Sequence, residues 1–278
     1  MAHEMELTRV FPRITNATPD DKNAYGPGQV PSVFENYGEV HISVAFDADK
    51  ETAERLANLW HPHAENVLID GPAYNNPGGE FTPGLYVKCG YVITSRGCPN
   101  RCWFCRAWKI EGNKIRELKI HDGWNVLDNN LLACSRKHQE SVFEMLAKQP
   151  HRPMFTGGLD STYFTEWHAE WILKLKPQTV FFAYDTPDDW EPLVSAARIA
   201  KRLPWKGHIW RAYVLIGYPK DTIEKAEQRL KQCCGIGIMP QAMLYNKKPN
   251  DERKAWVSFQ RQWAHPILVG QKMREVLI

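Results

Sequence analysis

Three cysteines stand in one short loop, Cys98, Cys102 and Cys105 of SRGCPNRCWFC (95–105), spaced C-x3-C-x2-C. Three thiolates can hold three irons of a cubane cluster and leave the fourth iron open to a further ligand. A structural zinc would need a closed tetrahedral set, for which Cys89 or Cys134 could supply the fourth ligand. Zinc ribbons and knuckles favour paired C-x2-C arms, and no matching pair stands elsewhere in the chain. The spacing therefore favours the cluster, with zinc or plain core thiols as the alternatives. Gly97 lets the backbone turn sharply before the first ligand and Pro99 stiffens that turn. Seven cysteines, an odd number, follow an opening MAHEMELTRVF without the layout of a secretion signal. That combination argues for reduced thiols rather than a disulfide framework, and for the cytoplasm.

The loop must be held by something regular. From residue 89 onward, β-type apolar runs recur at 90–95, 124–129, 153–158, 179–184, 209–217 and 238–245, at intervals of about 25–30 residues, the length of one parallel β-α unit. Between them, 135–149 places Val142, Phe143 and Leu146 on one helical face and 221–233 does so with Ile223, Ala226 and Leu230. Ser135 and Asp221 stand where N-caps belong. Six such units predict a parallel sheet that closes into a partial (β/α)6 barrel, with chemistry at the C-terminal ends of its strands. The cysteines follow the first strand. WVSFQRQW (256–263) predicts a final helix sealing the barrel.

The N-terminal part is different. Prolines and glycines crowd residues 1–38, which predicts an arm without long regular elements. EVHISVAF (39–46), DKETAERLANLW (49–60) and NVLID (66–70) then read as strand, helix and strand, with Ala53, Leu56, Ala57 and Trp60 on one face. The expected division is an arm and truncated Rossmann-like α/β unit over 1–88 and the barrel with its C-terminal helix over 89–278. With 278 residues and 43% hydrophobic content the chain can bury a full core. A net charge of +3 is too weak to announce nucleic-acid binding, and no apolar run is long enough to suggest a membrane span.

GCPNRCWFC resembles the C-x3-C-x-aromatic-C signature of the radical S-adenosylmethionine (SAM) superfamily, over about residues 89–245. Together with NVLDNN (125–130) and the DGPA turn (70–73) it is similar to the branch that carries an N-terminal cobalamin-binding domain. Residues 40–85 are too short for that domain and lack its D-x-H-x-x-G, so a relic that binds no cobalamin is expected. The resemblance implies that Cys98, Cys102 and Cys105 ligate a [4Fe-4S] cluster, that SAM chelates the open iron, and that a reductant such as flavodoxin or ferredoxin supplies one electron. A 5′-deoxyadenosyl radical would then take hydrogen from substrate, with the protein supplying position and exclusion of water. Phe104 would lie against the adenine.

Further SAM contacts follow from residue type at strand ends. Asp128 and Asn129 could accept from the methionyl ammonium, or form a turn. Gly157 and Gly158 permit close approach of a ligand, or merely a strand-to-helix turn. Asp185 could accept from the ribose hydroxyls, or cap a helix. Arg211 would suit a carboxylate, or be an ordinary strand-start arginine. Ile216 and Gly217 resemble the family's adenine-contacting segment through backbone groups. His61 and His63 read as a surface turn, Cys89 and Cys134 as core thiols, and Cys233 and Cys234 as helix neighbours that point in different directions and lack the partners of a second cluster.

The substrate stays open: a nucleoside or nucleic acid is suggested by the basic runs at 201–206 and 246–254 and by nearby tryptophans, while a peptide or small metabolite fits nearly as well. Two other function classes remain. One is a non-catalytic iron–sulfur or zinc-stapled module; the other is a methyl-transferring enzyme, which would need the cobalamin that residues 40–85 are too short to hold.

Overall fold

Alternating apolar residues at 37–43 and a branched run at 64–70 flank a helix with one apolar side, and in the structure, a computed structural model, that side is buried against those strands. The structure describes residues 7–35, 37–76, 78–204, 208–245 and 250–277. The chain forms two compact units, Met1–Gly123 and Trp124–Ile278. Part of each basic run, residues 205–206 and 246–249, lies outside the described residues.

In the first unit β1 (Thr8–Val10), β2 (Ala24–Tyr25), β3 (Tyr37–Ser43) and β4 (Ala64–Asp70) make a parallel sheet in the order β2-β1-β3-β4. Helix α1 (Lys50–Trp60) joins β3 to β4. Val10, Val40, Ile42 and Val44 pack with Ala53, Leu56, Ala57 and Trp60, and the Trp60 indole meets the rings of Tyr25 and Tyr37 edge-on at 4.9 and 5.1 Å. The described residues of the 1–38 stretch are thus more than an arm, because a three-residue strand fits before Pro12 and a two-residue strand between Pro19 and Pro27. Buried Arg9 fastens β1 in place, donating to the carbonyls of Gly84 at 2.8 Å and Leu85 at 2.9 Å and pairing with Asp21.

The expected strand at 90–95 is two pieces, β5 (Tyr91–Val92) and β6 (Ser95–Arg96). After the short helix α2 (Ala107–Ile110), β7 (Arg116–Glu117) returns antiparallel to β6, pairing Ser95 with Glu117 and Arg96 with Arg116.

The second unit alternates strictly: β8 (Asn125–Val126), α3 (Arg136–Ala147), β9 (Met154–Leu159), α4 (Glu166–Leu175), β10 (Thr179–Tyr184), α5 (Trp190–Ala200), β11 (Trp210–Ile216), α6 (Ile223–Gly235), β12 (Met239–Leu244), α7 (Asn250–Ala264) and α8 (Pro266–Leu277). Its strands are parallel and lie side by side in chain order. Right-handed crossovers that step always the same way put α3 to α6 on one face of the sheet. Burial follows: Trp210, Ala212, Val214 and Ile216 are buried, while Arg211, Tyr213 and Leu215 between them are half-buried. The chain is an α/β protein with parallel sheets.

Ser135 caps α3 as its position predicts, accepting from the His138 amide at 3.2 Å. Asp221 does not cap α6. Thr222 does, accepting from the Lys225 amide at 3.3 Å, because Asp221 is drawn inward by Arg229. Trp256 and Trp263 are core residues, and Trp167 and Trp171 flank Phe143 at 5.7 and 5.6 Å. Cys134, Cys233 and Cys234 are buried; Cys89 is exposed, contrary to its expected place in a core. No helix among the described residues is long and apolar enough to cross a membrane.

Candidate metal and cofactor site

The cysteine loop belongs to the first unit, and glycine is what lets it close. Gly97 sits at φ +84°, and a Cβ there would stand 2.2 Å from the Lys114 carbonyl oxygen, a contact only a hydrogen can occupy. The Gly97 amide donates to Glu111 at 3.1 Å, and the other oxygen of that carboxylate takes the Arg96 guanidinium at 2.8 Å. The Cys98 amide donates to the Gly112 carbonyl at 3.1 Å and the Cys105 amide to Cys102 at 3.1 Å. From outside the turn the Trp108 indole donates to the Cys102 carbonyl at 3.0 Å, and Arg106 binds Asp47 and, at 2.8 Å, Asn75. Trp108 therefore braces the loop backbone. All three thiols are free of disulfides and half-buried, and Phe104 lies half-buried, edge-on to Trp103 at 5.3 Å. Three thiols on one pinned loop fit the ligand set of a cluster that keeps one metal position open.

The remaining candidates stand in the second unit, at the C-terminal ends of its strands except for Arg211, which is the second residue of β11. Asp128 is buried and Asn129 exposed just after β8. Gly157 brings β9 against that turn, since a Cβ would lie 2.5 Å from the Asp128 carbonyl oxygen. Close strand contact is thus reason enough for this glycine. Gly158, at φ +92°, faces Tyr213. At the end of β11, Ile216 is buried and its carbonyl accepts from Tyr245, while the Gly217 amide donates to Asp221 at 2.8 Å.

Thr186 and Asp189 form the capping box after β10, and Asp189 also accepts the Asp185 amide at 2.9 Å. Asp185 is therefore not the cap. Burial first, and then the Asp189 carboxylate, pushes the Asp185 carboxyl up to about 7. The folded protein keeps a proton that the unfolded chain releases near ~3.9, so the associated stability is present below that value and is lost as pH rises through about 7. Asp185→Asn is expected to exceed the parent in stability at pH 8 by roughly 2–4 kcal/mol and to match it at pH 4. Calorimetric melting at the two pH values checks this; an equal shift at both would contradict it.

The sheet face away from α3–α6 carries a polar network in which Arg211 is joined by residues that no motif marks. The Thr156 hydroxyl donates to the Asn125 side chain at 2.6 Å and the Tyr213 hydroxyl to the Thr156 carbonyl at 3.0 Å. Arg211 donates to Gln241 at 2.9 Å, lies 4.6 Å over Phe181, and its buried Nε has no hydrogen-bond partner among the described residues. Phe181 in turn stacks on Tyr213 at 4.2 Å. Alternating polar residues in WRAYVLI were the available signal. Burial lowers the Arg211 pKa from its ordinary value, which makes an anionic ligand a natural complement.

A second group of metal-ligating atoms lies in the same unit. Asp128, Cys134 and His138 are all buried, with one donor atom from each within 4.8 Å of the others. Behind them His168 donates through Nε2 to Gln139 at 2.8 Å, and Gln139 donates to the carbonyls of Leu132 and Cys134 at 3.1 and 2.8 Å, fixing the turn that carries Cys134. The Thr165 amide occupies His168 Nδ1, which sets that tautomer.

A scan against protein-family models finds no match, and a search of curated proteins finds none either.

Proposed function

We propose that the protein is a radical SAM enzyme, with a partial barrel built on the second unit's parallel strands. The observation that carries this reading is the C-x3-C-x2-C loop, closed by Gly97 over Lys114 and pinned through Glu111. Cys98, Cys102 and Cys105 would hold a [4Fe-4S] cluster. When bound, the cluster and SAM supply one-electron cleavage to methionine and a 5′-deoxyadenosyl radical, which takes a hydrogen atom from substrate and leaves as 5′-deoxyadenosine. Flavodoxin or ferredoxin is the class of protein that would deliver the electron.

The chain's own part is binding and orientation. Arg211, with its fork half-satisfied by Gln241, offers donors to the methionyl carboxylate. Asp128 and Asn129 offer acceptors to the ammonium, and Asp185 an acceptor to the ribose hydroxyls. Phe104 offers a ring face to the adenine. Gly157, Gly158, Ile216 and Gly217 shape strand ends, the amide of Gly217 being held by Asp221. The substrate is a nucleoside or nucleic acid, or else a peptide or small metabolite.

The test is anaerobic reconstitution with iron and sulfide, followed by reduction in the presence of SAM. The parent should hold about four irons per chain, show a reduced-cluster EPR signal that SAM perturbs, and release 5′-deoxyadenosine. Cys98→Ala, Cys102→Ala and Cys105→Ala should each lose 5′-deoxyadenosine by at least about a thousandfold, or ~4 kcal/mol of barrier. A cluster indifferent to SAM, or product undiminished in the variants, overturns the reading.

The buried Asp128–Cys134–His138 group supports a second reading, a metal-stapled binding module. Asp128 cannot serve both a metal and SAM. Zinc retained by the triple cysteine variant and lost on Cys134→Ala would favour the module.

A further inference from the structure

The first unit holds a cavity of about 410 Å³ toward the C-terminal edge of its sheet, lined by His41 and Ser43 of β3 and Ala45 just after it, by Leu68 and Asp70 of β4 and Gly71 just after it, and by Tyr86 and Arg96 among others. Open parallel sheets bind ligands outside the carboxyl ends of their strands, and this volume falls in the range of small-molecule sites. A second cavity of about 220 Å³ adjoins it at the switch point between β1 and β3, sharing Ser43, Ala45, Tyr86 and Val87.

The wall of the larger cavity is flat. The rings of His41 and Tyr86 lie within 7° of parallel with centroids 6.1 Å apart, and the Tyr86 hydroxyl meets His41 Nδ1. A separation bridged by that contact places the rings edge to edge, as one planar panel rather than a stacked pair. Glu39 holds the far nitrogen of His41 at 2.9 Å and so fixes the ring. Such a panel suits the face of a planar heterocycle.

Polar groups stand around it. Asp70 uses one oxygen on the Gly71 amide at 2.7 Å and the other on Asn76, which leaves lone pairs on both. Arg96 gives its Nε to the Gly79 carbonyl at 3.1 Å and its Nη1 to Glu111 at 2.8 Å, and Ser43 lines the same cavity. Arg96 is already neutralised by Glu111 at 2.8 Å, whereas Asp70 has no cation beside it among its hydrogen-bond partners. The cavity therefore calls for a ligand with hydroxyl or N–H donors and no negative charge of its own. A carboxylate at a parallel strand end is also a recognised partner of ribose hydroxyls.

From these we infer that this cavity binds a ribonucleoside, its base on the His41–Tyr86 panel and its ribose hydroxyls on Asp70. Arg96 stands two residues before Cys98, so the ligand lies beside the cysteine loop. That the ligand is the substrate rests on the radical reading above; that a nucleoside binds does not.

The experiment is calorimetric titration of the full chain, without reductant, with adenosine, guanosine, cytidine and uridine, and with the 2′,3′-dideoxy form of whichever binds. One nucleoside should saturate with Kd below about 1 mM, and its dideoxy form should bind at least about tenfold more weakly. Asp70→Ala should weaken the nucleoside by a similar factor and erase the preference over the dideoxy form. Leu68→Trp, at an exposed position on the cavity rim, should block binding while leaving the fold intact by circular dichroism. The inference is overturned if none of the four saturates, if the dideoxy form binds equally, or if Asp70→Ala and Leu68→Trp leave the affinity unchanged, which would place the ligand elsewhere. Nucleoside binding without 5′-deoxyadenosine formation would sink the radical reading and spare this one.

Discussion

Gly97→Ala is expected to empty the cysteine loop of iron although every thiol remains. The left-handed φ of +84° alone costs alanine ~1–2 kcal/mol. The larger effect is steric, because the new methyl would sit 2.2 Å from the Lys114 carbonyl oxygen and 3.1 Å from that of Gly112. Neither carbonyl moves freely: Gly112 accepts from Cys98, and the 112–117 segment is tied back by the pairing of β6 with β7. The loop must give instead, and the bonds from Gly97 to Glu111 and from Cys98 to Gly112 break together. Three ligands that must converge within tenths of an ångström would no longer do so. Iron content and 5′-deoxyadenosine should fall to the level of the Cys98→Ala variant, while far-UV circular dichroism stays near that of the parent. Iron retained at parent level would show that the loop geometry does not govern assembly.

The second large effect lies at the end of β11. Arg229 and Asp221 form a buried, two-pronged pair at 3.0 and 2.8 Å; the arginine also donates to the Leu215 carbonyl at 3.0 Å and the aspartate accepts from the Gly217 amide. Arg229→Met leaves the Asp221 carboxylate buried without its cation, which costs roughly 3–5 kcal/mol. Adding Asp221→Asn removes the stranded charge while keeping an acceptor for Gly217, so the double variant should recover at least about half of that loss. Urea denaturation of the parent, both single variants and the double variant measures the coupling. A double variant as unstable as the sum of the single ones would show that the two side chains act independently.

Asp221 also marks where residue patterns stop being informative. An acidic residue before an amphipathic run predicts a cap, and nothing local distinguishes it from Thr222 next door; the arginine eight residues on decides the matter. The long strands and the buried faces of α1, α3 and α6 were legible because burial imposes a period on the chain. β1 and β2 were not, since strands of three and two residues carry no period at all. The cysteine spacing singled out the loop, and Gly97 its sharp turn, which the left-handed φ at that residue shows. Glu111, which pins that loop, is one acidic residue among many and becomes visible only when Arg96 and Gly97 are seen beside it. The polar network on the sheet face stayed hidden for a related reason: alternation in β11 separates two faces without saying whether the polar one meets water or a ligand.

The position of β1 inside its sheet, between β2 and β3, sets an order of events during synthesis. Thr8–Val10 leaves the ribosome ahead of its partner residues Val40–Ile42, which follow some thirty positions later, a wait of roughly 2–6 s at ordinary elongation rates. Through that interval the segment can pair only weakly with β2, whose two residues offer little. Nascent chains should therefore resist proteolysis only once β3 has cleared the exit tunnel.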